Sequence, residues 1–319
     1  MDRPRRRPGL LILAAAGVLA GALAAGPPLR ALRWLAPGAD GSRILTRRPT
    51  ECLAIPADPN SAYLVEVGRA AFRTPLILGG PAARAGLACE TCHRGGRRNE
   101  DFDFPGLSGG PGTADVTSFL FSSHRGDHVD NPKSIPDLSG SKAVLKVSQS
   151  AGSPDLERFI HGLITEEFDG AEPPPTVLTG LAAYVRALSP GACPAHEEES
   201  VSAAADLADA RRAVRTALVA LARHDSATAV VMAGAARSMM GILAERYGAA
   251  PTSADVAVLR TADLDLAAAI SDIRRADPAA TAGLEAWLAR SREWGPRILA
   301  DESRSYYDRS VLAAAIAGR

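Results

Sequence analysis

An all-α fold in two unlike parts is the expectation for this 319-residue chain. Of its 23 prolines, 20 fall between Pro4 and Pro194, and all seven phenylalanines lie between Phe72 and Phe168. The first part is therefore loop-rich and carries its aromatic residues in one stretch. Residues 201–319 hold 34 alanines against three prolines and six glycines, the composition of packed helices. The change of regime near residue 195 gives two domains of common size. Lys+Arg and Asp+Glu are both 36, so no overall charge draws the chain to nucleic acid. With 46% hydrophobic residues, disorder throughout is excluded, and four cysteines are too few for a disulfide-rich scaffold.

Residues 1–29 read as an export segment. Arg3, Arg5, Arg6 and Arg7 precede 22 uncharged residues, Pro8 to Leu29, around an apolar Leu10-Leu11-Ile12-Leu13. Ala22-Leu23-Ala24 and Leu23-Ala24-Ala25 offer small residues for signal cleavage, while the same stretch as a helix would span about 33 Å, enough for a bilayer core. Cleaved signal and uncleaved membrane anchor both stay open. Either way the basic start keeps the N-terminus inside and sends the rest out, so the expected location is the periplasm, free or held at the inner membrane. Residues 30–50 read as a linker containing Pro and Arg.

A helix is expected from Asn60 or Ser61, either of which can cap it, carrying Tyr63, Leu64, Val67 and Phe72. The chemistry is carried by Cys89-Glu90-Thr91-Cys92-His93, a C-x-x-C-H sequence and the attachment signal for one c-type haem. Two thiols one turn apart can add to the two vinyl groups of haem, and the adjoining His93 then offers a ring nitrogen to the iron as proximal ligand. A zinc half-site would need two further ligands, and Cys52 and Cys193 stand singly. A thiol-redox site would sit in a βαβ context, which the Gly/Pro-rich flanks do not supply. A last helix of this part is expected over roughly Pro174 to Leu188, with Leu178, Leu181, Tyr184, Val185 and Leu188 on one face.

Gly68-Arg69-Ala70-Ala71-Phe72 resembles the G-x-x-x-F/Y of cytochrome c first helices, where a small residue lets the last helix cross closely. With Gly79-Gly80 and Leu87-Ala88 before the C-x-x-C-H, residues 60–190 resemble a haem domain of the bacterial di-haem cytochrome c peroxidase superfamily, which includes the methylamine dehydrogenase maturation enzyme. Asn131-Pro132-Lys133-Ser134-Ile135-Pro136-Asp137-Leu138 is similar to its Pro-Ser-Leu segment. Leu156 to Ile160 and Ala182 to Leu188 are similar to its closing helices. The resemblance implies a cytochrome c-like haem domain over 51–196; the family carries two haems, whereas this chain has one C-x-x-C-H.

No methionine lies between Met1 and Met232, so His/Met ligation requires Met232, Met239 or Met240 to reach across from the second part. Otherwise the sixth ligand is His124, the preferred candidate, or His128 or His161, or the position is open to peroxide or a small gas. Arg97 and Arg125 are candidates to pair the haem propionates, with Arg98 and Lys133 behind them, against the alternative that all are solvated loop charges. Glu166 and Glu167 are either a distal acid/base pair or a wet helix face. His196 and His224 have no metal-ligand spacing. Cys52 and Cys193 flank the domain, whose first and last helices pack together in a cytochrome fold, and an oxidising compartment then predicts a Cys52–Cys193 disulfide.

Residues 197–319 read as a bundle of four or five helices. Leu207, Val214, Leu218 and Leu221, then Val256, Leu259, Leu266, Ile270 and Ile273, recur at helical spacing. Thr252 or Ser253 can cap one helix, Asp277-Pro278 starts another, and Trp287, Leu288 and Trp294 add core mass. The expected function is electron transfer with a redox partner protein, without nucleic acid. The alternatives are a peroxidase-type haem oxidoreductase and a periplasmic haem-based sensor.

Overall fold

The protein is all-α in the computed structural model, which describes residues 26–125, 128–141, 145–150, 152–195 and 197–318. Residues 1–25, most of the segment read as an export signal or anchor, lie outside the described residues. Helices dominate: α1 (Gly41–Thr46), α2 (Pro59–Phe72), α3 (Gly80–Ala85), α4 (Cys89–Cys92), α5 (Asp155–Gly162) and α6 (Pro175–Ala187) form the first half. α7 (Ala203–Ala222), α8 (Ser226–Arg246), α9 (Ser253–Arg274), α10 (Ala279–Ala300) and α11 (Arg309–Ala317) form the second. Two small antiparallel ladders join β1 (Arg47–Pro49) to β4 (Glu198–Ser200) and β2 (Thr113–Ala114) to β3 (Lys133–Ser134).

α2 and α6 form the central crossing of the first half. Asp58, rather than Asn60 or Ser61, caps α2: its carboxylate accepts from the Ser61 N–H at 2.8 Å, and Pro59 takes the first helical position. α2 buries Tyr63, Val67, Ala71 and Phe72 against Val177, Leu181, Tyr184 and Val185 of α6. The two backbones touch at glycines. A Cβ at Gly68 would overlap the Gly180 carbonyl and stand 2.8 Å from the Tyr184 Cβ.

The long loops after α4 fold around a second core of Leu78, Ala82, Leu87, Phe102, Leu107, Phe121, Ile135 and Phe168. Asp115 organises them, its carboxylate accepting from Thr117 and from the Asn131 N–H at 3.0 Å. Cys52 is disulfide-bonded to Cys193 across 141 residues of chain. Cross-linking a loop that long constrains the unfolded state by about 5 kcal/mol on chain-entropy grounds. Cys52→Ala with Cys193→Ala is therefore expected to lower denaturant stability by several kcal/mol, and the wild type to lose that margin in reductant.

α7 to α10 pack as successive neighbours, and α10 returns to α7, closing a four-helix bundle to which α11 is appended. Leu207, Val214, Met232, Met240, Leu243, Leu259, Leu266, Leu284, Trp287 and Ile298 fill its core. Thr252 precedes α9 without capping it; its hydroxyl instead bonds the Tyr247 carbonyl at 2.7 Å. α8 is the one described helix long and apolar enough to cross a membrane, and 56% of its apolar window is buried inside the bundle.

Two expectations about organisation change. Residues 30–50 are not a free linker: Ile44 and Leu45, together with Leu29 just before them, pack with Leu312 of α11, and β1 pairs with β4. The apolar residues of that segment find cover on the bundle. The halves also share one core, running from Tyr63 and Val67 through Leu207 and Met232 to Tyr307, because α2 packs on α7 and α8.

Candidate functional site

Local hydrogen bonding shapes the Cys89–His93 turn. The Thr91 hydroxyl accepts from the Ala88 N–H at 3.0 Å, closing the start of α4, and the His93 N–H donates to the Cys89 carbonyl at 2.8 Å, closing its end. Asn99 clasps the turn from outside, its side-chain amide donating to the Thr91 carbonyl at 2.8 Å and its N–H to the Cys92 carbonyl at 3.0 Å. Directly after His93 the chain turns through Gly95 and Gly96, at φ 63° and 70°. At Gly96 a Cβ would stand 2.5 Å from the Leu188 side chain, so this turn is fitted to the end of α6.

Cys89 and Cys92 are free thiols, half-buried on one face and packed against the Phe102–Phe168 core. Burial pushes both up to about 12, so at neutral pH they are uncharged thiols. The His93 Nδ1–H donates to the Pro136 carbonyl at 3.0 Å, within the Asn131–Leu138 run. That bond fixes ring and tautomer, and leaves Nε2 without a hydrogen-bond partner among the described residues. Burial lowers the His93 pKa to about 4, opposed by the Pro136 bond and the Asp137 charge, so the imidazole is neutral at neutral pH. The Leu138 N–H bonds the Gly96 carbonyl at 3.2 Å, tying Pro136 to the turn it holds. The Phe72 ring lies 6.3 Å from the imidazole. Two thiols and one oriented imidazole are thus presented together beside an aromatic core.

The other predicted groups are dispersed. His124 is exposed, close enough to Asp169 and Glu166 to favour their charged forms. His128 is exposed against the Phe119 ring at 5.6 Å, and His161 Nε2 is held by Glu172 at 2.8 Å. The three histidines are thus engaged at the surface, His124 included, on a polar turn that gives its ring no reason to bury. Arg125, expected on a propionate, forms ion pairs with Glu166 and Glu167 instead. Arg97 pairs with Asp137 at 3.5 Å, while its neighbour Arg98 keeps a buried Nε with no partner. Lys133 and His224 are exposed, and His196 lies outside the described residues. Met232, Met239 and Met240 are buried and fill the bundle core. Glu166 is exposed, whereas Glu167 carries a buried, unpartnered Oε2 and burial raises its pKa.

Behind α4 lies a buried charge network that sequence reading missed. Glu51 pairs with Arg69 and with Arg73 at 2.9 Å, and accepts from the Tyr184 hydroxyl at 2.8 Å. Arg73 also pairs with Asp209 of α7 at 2.8 Å and faces Glu90, inside the cysteine motif, at 3.8 Å. Glu90 accepts from the Gly95 N–H at 2.9 Å; burial raises its pKa, opposed by Arg73. Arg69 and Arg73 stand four apart on one face of α2, the one available signal for this network. Among the described residues no group of three or more His, Cys, Asp or Glu is arranged to hold a metal ion. No protein-family model, curated protein or solved structure matches this chain.

Proposed function

We propose that this chain is an exported c-type cytochrome that holds one haem covalently and passes electrons to a redox partner protein. The observation that carries the reading is the Cys89-Glu90-Thr91-Cys92-His93 turn, with His93 Nδ1 bonded to the Pro136 carbonyl and Nε2 left free. The donor set fits haem: Cys89 and Cys92 are the thioether positions, and His93 is the proximal ligand, neutral and preset in tautomer. The apolar wall of Phe102, Phe121 and Phe168 excludes water from that face of α4. The tight Gly68–Gly180 crossing is what the resemblance to cytochrome c domains implies for the first and last helices. Arg98, with its unpartnered Nε, is the better candidate for a propionate than Arg125, whose carboxylate partners are already present. When bound, haem supplies a one-electron iron couple; the chain sets its potential by ligation and burial.

A second reading is a peroxidase-type oxidoreductase with an open sixth position, and two observations favour it. His124, His128 and His161 are engaged at the surface, and Glu167 holds an unpartnered buried oxygen beside Phe168. Optical spectra of the full chain, matured with haem and recorded with and without carbon monoxide, separate the two. Electron transfer predicts a low-spin haem indifferent to the gas. A high-spin haem that binds it would replace that reading with the second. His93→Ala is expected to remove the proximal ligand and change the optical spectrum of the haem in either case.

A further inference from the structure

A cavity of about 450 Å3 lies behind α4, on the side away from the thiols. Glu90, Thr91 and Arg94 line it, while Cys89, Cys92 and His93 do not. Its walls come from both halves: Trp34 and Leu35 near the start of the described chain, Ile44 and Leu45 of α1, Leu76 after α2, and Ile242 of α8. That volume is the size of a small-molecule site, and these walls suit an apolar body.

Its charged lining is unbalanced. The Arg94 guanidinium donates to the Ile44 carbonyl at 2.8 Å and to the Arg47 carbonyl at 2.5 Å. Arg246, only 8% exposed, donates to the neighbouring Leu45 carbonyl at 2.6 Å and to the Tyr306 carbonyl at 3.0 Å. Two cations from opposite walls thus converge on one short stretch of backbone, and among the described residues neither pairs with a carboxylate. Buried guanidinium groups without an anion are costly. The lining carries three carboxylates: Glu245 pairs with Arg30 at 3.3 Å, Asp206 accepts from the Tyr307 hydroxyl at 2.5 Å, and Glu90, which accepts from the Gly95 N–H, lies near enough to Arg94 to favour its charge without an ion pair. Arg73, with a side chain 9% exposed, keeps a buried Nε with no acceptor, and Glu90 Oε2, 3.8 Å away, is likewise unpartnered. Guanidinium charge held by carbonyls and, for Arg246, by the Tyr307 ring, with no ion pair among the described residues, thus meets an apolar wall in one space.

We propose that this cavity binds a small amphipathic monocarboxylate, its carboxylate against Arg94 and Arg246 and its apolar body along Trp34, Leu35, Ile44 and Ile242. An inorganic anion would answer the arginines and leave the apolar walls wet; a neutral apolar molecule would do the reverse. The site uses neither the thiols nor the imidazole, so it stands apart from the haem proposal and is tested with or without haem.

The probes are octanoate, its neutral counterpart octanol, and inorganic phosphate, each titrated calorimetrically into the full chain, with Trp34 fluorescence as a second readout. Octanoate is expected to bind saturably at one site, and octanol and phosphate at least about tenfold more weakly, since each lacks one half of the match. Arg94→Gln is expected to weaken octanoate by about tenfold or more. Because Arg94 also holds α1, Gly241→Phe is the second variant: a Cβ at Gly241, on the α8 wall, meets nothing within 4 Å, so the substitution starts from open space and sets a bulky ring at the cavity wall. It is expected to abolish octanoate binding with thermal stability retained. Failure of octanoate to bind, equal binding of octanol or phosphate, or octanoate binding untouched by Gly241→Phe would each overturn the proposal.

Discussion

Gly68→Ala is expected to destabilise the protein by about 3 kcal/mol or more, far beyond an ordinary exchange of one methyl group. The added Cβ would overlap the Gly180 carbonyl, a backbone atom that cannot rotate away, and press on Tyr184 at 2.8 Å. Relief requires α2 and α6 to separate, loosening Val67, Val177, Leu181 and Tyr184, which are all buried at the crossing. Because α2 also packs on α7 and α8, the damage reaches the bundle core. Urea denaturation followed by circular dichroism measures the loss. Gly162→Ala is the control: nothing lies within 4 Å of a Cβ there, and alanine in α5 should be neutral or stabilising by up to about 1 kcal/mol.

Glu51→Ala is expected to cost about 3–5 kcal/mol near neutral pH, because it strands Arg69 and the Tyr184 hydroxyl and leaves Arg73 with Asp209 alone at hydrogen-bond distance. The pH dependence follows from the same network. Burial alone would raise the Glu51 pKa, but Arg73 and Arg69 outweigh it and hold the carboxyl at about 2, below its ordinary 4.5. A carboxylate depressed in the folded state stabilises fully above its unfolded value and loses that contribution as pH falls. Stability should therefore decline between about pH 4.5 and 2, by on the order of 3 kcal/mol from this group. Glu51→Gln should be less stable near neutral pH and flatter across that window. An unchanged acid profile in Glu51→Gln would remove this carboxylate from the account.

Much of this arrangement was legible because it is local. The C-x-x-C-H spacing puts two thiols and an imidazole on one turn whatever surrounds it, and the resemblance of Gly68-Arg69-Ala70-Ala71-Phe72 to cytochrome c first helices implies a close neighbour at Gly68. The Ala-rich second half reads as helices because composition and period agree. What stayed hidden depends on partners distant in sequence. Glu51 reads as a loop charge until α2 and α6 bring Arg69, Arg73 and Tyr184 around it. Ile44 and Leu45 read as linker until α11 covers them. His124 looked placed for the iron from its order in the chain, but its turn faces solvent. Asp58, rather than the expected Asn60 or Ser61, caps α2, with Pro59 at the first helical position where proline is favoured.

The account rests on Cys89 and Cys92 as haem attachment points, and intact mass after unfolding tests that most directly. The full chain is produced in a host that matures c-type haem, denatured in acid to strip any non-covalent group, and weighed beside Cys89→Ser with Cys92→Ser. The account predicts the mass of the polypeptide plus one haem for the wild type and of the bare polypeptide for the variant. A wild-type chain that weighs as polypeptide alone, with both thiols free, would contradict it.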